Sequence, residues 1–335
     1  MKVLFVSSGI QVKINPIIEN QGESLKKAGV DVDYYVLSGR GWKNYVRNLK
    51  PLREKMKSGN YDLIHAHYAL TAYLASIASI GLGIPMVVSL MGNDILDHWW
   101  YPVLARVVAK CKPWKAVIVK SQEMKNRVGM DYANVIPNGV NMERFSPKSK
   151  VNSQKSIGWD IKKKHVLFPG APWDVRKNWP LAEAAVALLQ SDLRFANGIE
   201  LHGMDGVKNE DTAIWYNAAD AVVLPSFYEG SPNAVKEAMA CDTPVVATDM
   251  GDCVERMDGV EGCSVIARGE WVFPKGNWDI EKERWDRYVQ ELAEGLKKAF
   301  EHGKIKGRER LLEDGIADYQ IAERIVKIYE SNLHV

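Results

Sequence analysis

The sequence predicts an α/β protein built as two units, each an open parallel sheet with helices on both faces. Three observations carry that reading. Short β-branched apolar runs alternate with longer amphipathic stretches along most of the chain, the pattern of parallel strands joined by crossover helices. A chain of 335 residues favours two hydrophobic cores over one. Between two such series lies FSPKSKVNSQKS (145–156), polar, basic and unpatterned as a linker is.

In the first series strands are expected at 3–6, 32–37, 63–65, 86–90, 116–119 and 134–136, with helices near 16–28, 43–57, 69–80, 98–111 and 121–128. The opening MKVLFVSSG imitates a secretory leader, yet its apolar core of four residues is too short for one and reads as the first strand. Residues 68–91 run for 24 positions without a formal charge, long enough to span a bilayer. Gly81-Leu82-Gly83-Ile84-Pro85 in the middle splits that run into a buried helix, a turn and a strand. The second series has strands at 166–168, 199–202, 222–224, 244–247 and 271–273, and helices near 178–190, 212–219, 232–240 and 279–301. A last helix from about 320 to 333 carries Ile321, Ile325, Ile328 and Leu333. The expected domains are 1–150 and 151–319.

A hydrophobic share of 46% and a charged share of 26% are those of an ordinary soluble globular protein. Four cysteines without a C-x-x-C pair suggest reduced thiols in a cytoplasm, with neither a disulfide framework nor a zinc finger. Charge is uneven. Residues 1–150 hold 21 Lys+Arg against 11 Asp+Glu, a net +10, and the remainder 23 against 31, a net −8. No G-x-G-x-x-G follows the first strand, where Ser7-Ser8-Gly9-Ile10 stands instead, so NAD binding is disfavoured.

Open α/β sheets bind ligands beyond the carboxyl ends of their strands. The first half supplies Gly9, His67, Gly92-Asn93-Asp94, Ser121 and Asn138-Gly139 there, and the second supplies Gly170 to Lys177, Gly203, Glu229 and Asp249. Residues 222–252 are the densest. After an apolar strand, Ser231-Pro232 is a helix start, with Ser as N-cap and Pro at the first helical position. Glu229 therefore falls in the loop and Glu237 on the helix. Backbone N–H groups near Ser231 and Asn233 suit a phosphate, and the carboxylates suit sugar or ribose hydroxyls. Together they suggest a nucleotide-sugar site. The loop PGAPWDVRKNW (169–179) adds Arg176-Lys177, cations for a leaving diphosphate. His65 and His67 share one face of a strand, but no third ligand of suitable spacing is visible, so no metal is expected. Asp94, in MGND, either orients an acceptor hydroxyl or forms a turn. Asp31-Val32-Asp33 spells D-x-D at a strand start, away from the ligand edge, and both carboxylates read as solvent-facing.

Ser226, Glu229-Gly230, Pro232 and Glu237-Ala238-Met239-Ala240, followed by PVVAT and Gly251, resemble the signature of glycosyltransferase family 4 (group 1). That resemblance implies the GT-B architecture, two Rossmann-like domains facing an interdomain cleft, with a C-terminal helix (about 320–335) crossing back to the first. It implies a retaining hexosyltransferase that moves a sugar from a nucleoside diphosphate sugar to an acceptor hydroxyl, in cell-surface polysaccharide or glycolipid synthesis. By the same likeness Glu237 holds the ribose, Glu229 the donor sugar, and Lys177 with Arg176 the diphosphate, while His67 sits near the reacting centre. Gly9, Gly170, Gly230, Ser231, Pro232 and Asn233 line the donor, and Asp94 and Asn138 lie on the acceptor side. No cofactor or metal is implied. The chain departs from the family pattern at Ala171, where Arg is common, in its less Gly-rich first loop, and in a short 191–215 segment.

Three other functions fit the same residues: a nucleotide-sugar epimerase of this architecture, a DNA-modifying glucosyltransferase, and a non-catalytic nucleotide-binding regulator. The acceptor is read as lipid-linked or anionic. Segments 40–57 and 98–115 mix bases (Arg40, Lys43, Arg47, Lys50, Arg53, Lys55, Lys57; Arg106, Lys110, Lys112, Lys115) with Trp42, Tyr45, Trp99, Trp100, Tyr101 and Trp114. That mixture suits either docking on the inner face of an anionic membrane or solvated helices whose aromatics are core. Pro51 interrupts the first of them.

Overall fold

A computed structural model describes residues 1–9, 14–37, 41–96, 99–111, 114–195, 198–267 and 278–333. The chain divides into two compact units, Met1–Gly139 with Ile316–Val335, and Val140–Gly315. The boundaries thus fall at Gly139 and Gly315 rather than at 150 and 319. The strand expected at 271–273, and Arg40 and Lys112, lie outside the described residues.

Among the described residues the first unit has a parallel sheet of β1 (Lys2–Ser8), β2 (Asp31–Leu37), β3 (Leu63–His67), β4 (Met86–Ser89), β5 (Ala116–Val119) and β6 (Asn134–Val135), ordered β2-β1-β3-β4-β5-β6. Side chains alternate across it. Val3 and Phe5 join a cluster with Ile18, Leu25, Ile325 and Tyr329, whereas Leu4 and Val6 join Leu52, Met56, Ala72 and Ala75 on the other face. Both faces are covered, which is why β1 reads as a continuous apolar run. Phe5→Ala would cost about 3–5 kcal/mol.

The helix expected near 43–57 is present as Trp42–Ser58, and it continues through Pro51, the expected interruption. An interior proline costs about 3 kcal/mol. Leu52 and Met56, just beyond it, are buried, and each contributes about 1.5–3 kcal/mol, enough to hold the second half on the sheet. Tyr45 and Leu49 pack on the same core. The uncharged run 68–91 resolves into a helix, Ala69–Ala78, and β4, and among the described residues no helix is long and apolar enough to cross a membrane. Asp33 keeps its side chain 34% exposed, and it also accepts from Tyr61 Oη (2.5 Å) and pairs with Lys55 (2.6 Å), tying β2 to the helix beside it. The last helix, Asp318–Leu333, packs on Pro16–Lys27, and Gly139 is bare because a Cβ would come 2.7 Å from Asp318 Cα.

The second unit has β7 (Lys164–Phe168), β8 (Ile199–Gly203), β9 (Ala221–Leu224), β10 (Val245–Thr248) and β11 (Ser264–Ile266), parallel and ordered β11-β10-β9-β7-β8 among the described residues. Val166, Phe168, Val223 and Val246 meet Leu181, Ala185, Leu292 and Leu296 in its core. Residues 145–156 are not a linker. Ser149 caps a helix, Lys150–Ser156, whose Gln154 is buried and donates to Ala218 O (3.0 Å), while Lys150 pairs with Asp220 (2.7 Å). Phe145 anchors the segment by apolar burial against Tyr216, and hydrogen bonds and an ion pair dock the helix that follows.

Candidate active site

In the second unit β9 and β7 are neighbours, so the loops leaving their carboxyl ends run side by side, joined by Phe227 N donating to Arg176 O (2.9 Å). The β7 loop closes in a 3₁₀ turn, Val175–Lys177, opened by Asp174, whose carboxylate accepts from Arg176 N (3.1 Å) and pairs with the Arg176 guanidinium (2.8 Å). Asn178, at φ +58°, then turns the chain into the helix Trp179–Gln190. Lys177 reaches the β9 loop and forms an ion pair with Glu229. Gly170 makes room for that reach, since a Cβ there would lie 3.2 Å from Lys177 Cγ. The pair remains accessible, with side chains 18% and 17% exposed.

Gly230 and Glu229 rest on Gly251. Its φ of +60° suits glycine, and a Cβ would stand 2.9 Å from Gly230 O and 3.1 Å from Glu229 O, so any side chain lifts the loop. Ser231 does not cap the following helix. Its hydroxyl donates to Asp252 (3.0 Å) and accepts from Lys236 Nζ (2.9 Å), and Lys236 is only 1% exposed. Arg256 extends the chain of charges, 3.5 Å from Asp252 and paired with Asp314. Burial holds the Lys236 ammonium below its ordinary range, with Asp252 opposing. A buried lysine needs those partners, and the network fixes the loop from beneath. Pro232 takes the N-cap place, and no side chain of that residue caps the helix Asn233–Ala240, which starts beyond the carboxyl end of β9.

Glu237 is partly exposed on that helix and accepts from Tyr216 Oη (3.0 Å). Burial pushes its carboxyl above the ordinary range, while Tyr216 and the nearby Arg144 guanidinium pull it back. Arg144 is braced by Asn209 (3.1 Å) and Thr212 (2.8 Å). Sequence reasoning missed Arg144, Tyr216, Lys236 and Asp252. For Lys236 the signal was its place beside Glu237 in the motif, where a helix lysine looks solvated.

The strand ends of the first unit differ. His67, expected near the reacting centre, is 0% exposed: its side chain turns into the sheet core, where Phe5 and His65 pack on it at 4.6 and 4.2 Å. It shares a hydrogen bond with Gln21 Oε1 (2.9 Å), which makes Nε2 the donor and leaves Nδ1 without a hydrogen-bond partner. Burial holds its pKa down to about 3. His65 is saturated by Tyr329 Oη (2.5 Å) and Ser89 Oγ (2.8 Å). Asp94 accepts from the amides of Ala69 (2.9 Å), Met91 (2.9 Å) and Gly92 (2.8 Å). It ties the turn after β4 to the start of the preceding helix, Ala69–Ala78, and little of it is left for a substrate hydroxyl. Tyr68, at the N-cap of that helix, has a φ of +71°, strained for a non-glycine residue. Gly9 donates to Leu37 O (3.3 Å), and Asn138 lines a small recess with Asn20, Gln21 and Asp318.

Solved structures share this pair of parallel sheets. Sucrose-phosphate synthase from Thermosynechococcus elongatus superposes with a TM-score of 0.73 at 17% identity, covering 98% of each chain. HepE from Anabaena, in complex with UDP-glucose, gives 0.66 at 16%, covering 99% of this chain and 100% of that one. The architecture is GT-B. A family model described as "Glycosyl transferases group 1" matches residues 165–273, and one described as "Glycosyltransferase Family 4" matches 14–144. The chain belongs to the family 4, group 1 glycosyltransferases. A D-inositol 3-phosphate glycosyltransferase from Pseudarthrobacter chlorophenolicus is 27% identical over 62% of this chain. UDP-Gal:alpha-D-GlcNAc-diphosphoundecaprenol alpha-1,3-galactosyltransferase from Escherichia coli is 23% identical over 61%. The matches span 59% and 62% of those relatives' lengths.

Proposed function

We propose that this chain is a retaining hexosyltransferase that takes its sugar from a nucleoside diphosphate donor. The observation that carries it is the Lys177–Glu229 pair, partly exposed over Gly170 and beside the start of the helix bearing Glu237. An arriving diphosphate would draw Lys177, and secondarily Arg176, away from their carboxylates, and Gly230, Ser231, Pro232 and Asn233 would present the helix start to it. Glu229, so released, would accept from the donor sugar, and Glu237 from the ribose. Fixed cations make a divalent metal unnecessary for transfer. The leaving phosphate oxygen would take the acceptor proton, giving retention. On the acceptor side Asn138 would touch substrate, while Asp94 and His67 act as positioning residues, His67 through Gln21, which lines the Asn138 recess.

Uridine is the base to try first, because HepE was solved with UDP-glucose and the E. coli relative is named for UDP-Gal. That relative's lipid-linked acceptor supports a similar acceptor in polysaccharide or glycolipid synthesis, with the chain cytoplasmic and peripheral on the membrane. Trp99 (77% exposed), Trp100, Val103 and Val107 lie exposed beside Arg106 and Lys110 on and before the helix Tyr101–Cys111, a surface suited to an anionic interface. Trp114 belongs to the core instead. Sedimentation with anionic but not neutral vesicles is expected, and equal recovery with both would remove the membrane from the proposal.

The decisive assay follows UDP release from a panel of UDP-sugars, with and without lipid-linked acceptor and with EDTA. Acceptor-dependent release that survives EDTA, with an anomeric proton of unchanged configuration, is expected. Donor isomerisation without acceptor would make the chain an epimerase. Loss in EDTA restored by Mn²⁺ would overturn the metal-free mechanism.

A further inference from the structure

Outside these loops, three metal-ligating side chains converge on one face of the second sheet. His165 on β7 pairs in register with Glu200 on β8, and His202 lies two residues further along β8, so all three project to the same side. His165 Nδ1 stands 2.9 Å from His202 Nε2, and Glu200 Oε2 lies 3.7 Å from the first and 3.6 Å from the second. Among the described residues no other group of three histidine, cysteine or carboxylate side chains converges in this way.

The surroundings prepare these atoms to act as ligands. His165 Nε2 lies 2.8 Å from Asp160 O, and a carbonyl can only accept, so Nε2 carries the proton and Nδ1 presents a lone pair to the other two atoms. A second hydrogen bond that fixes tautomer and ring is what metal-bound histidines characteristically have. Lys163 pairs with the other carboxylate oxygen, Glu200 Oε1 (2.5 Å), and so leaves Oε2 for the two imidazoles. Trp159 stacks on both imidazoles, at 3.8 Å from His202 and 4.7 Å from His165. His165 is buried, whereas the His202 side chain is 18% exposed, which gives an ion a way in.

Three basic atoms turned to one point repel each other unless a proton or a cation lies among them. Ligands at 2.0–2.1 Å in a tetrahedron stand about 3.3 Å apart, and the observed edges of 2.9, 3.6 and 3.7 Å bracket that value. We propose that His165 Nδ1, His202 Nε2 and Glu200 Oε2 bind one zinc ion, with water as the fourth ligand. Two imidazoles favour zinc over Mg²⁺ or Ca²⁺, which prefer oxygen. The ion would clamp the edge strand β8 to β7. His165 is the second residue of β7, at the opposite end from the Lys177 loop, so the role is structural.

The test uses the full chain, purified without a histidine tag and freed of metal by chelation. Competition with a chromophoric chelator should show one saturable Zn²⁺ per chain, and Zn²⁺ but not Mg²⁺ should raise the melting temperature. His202→Ala and the isosteric Glu200→Gln, each checked by circular dichroism for retained fold, should weaken Zn²⁺ by at least the ~10–100-fold that loss of an outer partner costs. No saturable uptake by the wild type would overturn the proposal, as would unchanged affinity in a folded Glu200→Gln variant.

Discussion

Asp94 and Glu229 are both carboxylates just beyond the carboxyl end of a strand, one in each unit, Asp94 in the first turn of the short helix Asn93–Leu96 and Glu229 in a loop, yet their partners differ in kind. Asp94 accepts from three backbone amides, and cannot let them go without unravelling the loop that presents them. Glu229 pairs with the ammonium of Lys177, at the end of a flexible stem that another anion can attract. The first arrangement is architecture. The second is able to exchange partners, as the proposed binding of a diphosphate would require. Both are carboxylates just past a strand end, so what separates them most is whether the bonded partner belongs to the backbone.

The largest effect that would break this contrast is at Lys177. Lys177→Ala should lower kcat for donor cleavage by ~10², about 3 kcal/mol, because it removes stabilisation of charge developing on the leaving phosphate. Activity near the wild-type level would show that the exchangeable pair has no part in the chemistry. Next comes Glu237→Ala, which should weaken UDP binding by about 1.5–3 kcal/mol, the range for a hydrogen bond to a charged group. Calorimetry reads it directly, and unchanged affinity would remove Glu237 from the nucleotide site.

Asp94→Ala should act on stability instead. It leaves amide donors unsatisfied and should cost about 1–3 kcal/mol in denaturant unfolding, with UDP affinity of the folded protein preserved. A folded variant that lost UDP affinity would move Asp94 into the site. The smallest effect is a slope. The ordinary pKa of histidine is near 6.5, and burial holds His67 down to about 3. Below pH 6.5 the unfolded chain therefore takes up a proton that the folded chain refuses, and stability falls as pH drops towards 3. Each such histidine contributes up to about 1.4 kcal/mol per pH unit. His67→Asn should flatten the stability profile in that window, and an unchanged slope would mean that His67 is not buried neutral.

Much of this was legible in the sequence, for identifiable reasons. Strands buried on both faces advertise themselves as short apolar runs, as 166–168 and 222–224 do, and the ends of those strands locate Lys177, Glu229 and Glu237. β11 escaped because three residues make no pattern. The helix Lys150–Ser156 escaped because its docking is polar. Pro51 misled because the proline rule is local and the burial of Leu52 and Met56 is not. Burial of His67 and saturation of Asp94 depend on residues packed from elsewhere in the chain, Gln21 and Ala69 among them. The His165, Glu200 and His202 cluster was invisible for a related reason: it exists only in the register of β7 against β8.

Amide hydrogen exchange with and without saturating UDP tests the central claim most directly, since it maps the nucleotide onto the chain without altering any residue. The strongest added protection is expected in the second unit, over 170–178 and 229–237, where the Lys177 turn and the start of the Glu237 helix lie. Protection centred instead on 67–69 and 91–94, with the second-unit loops unchanged, would contradict it.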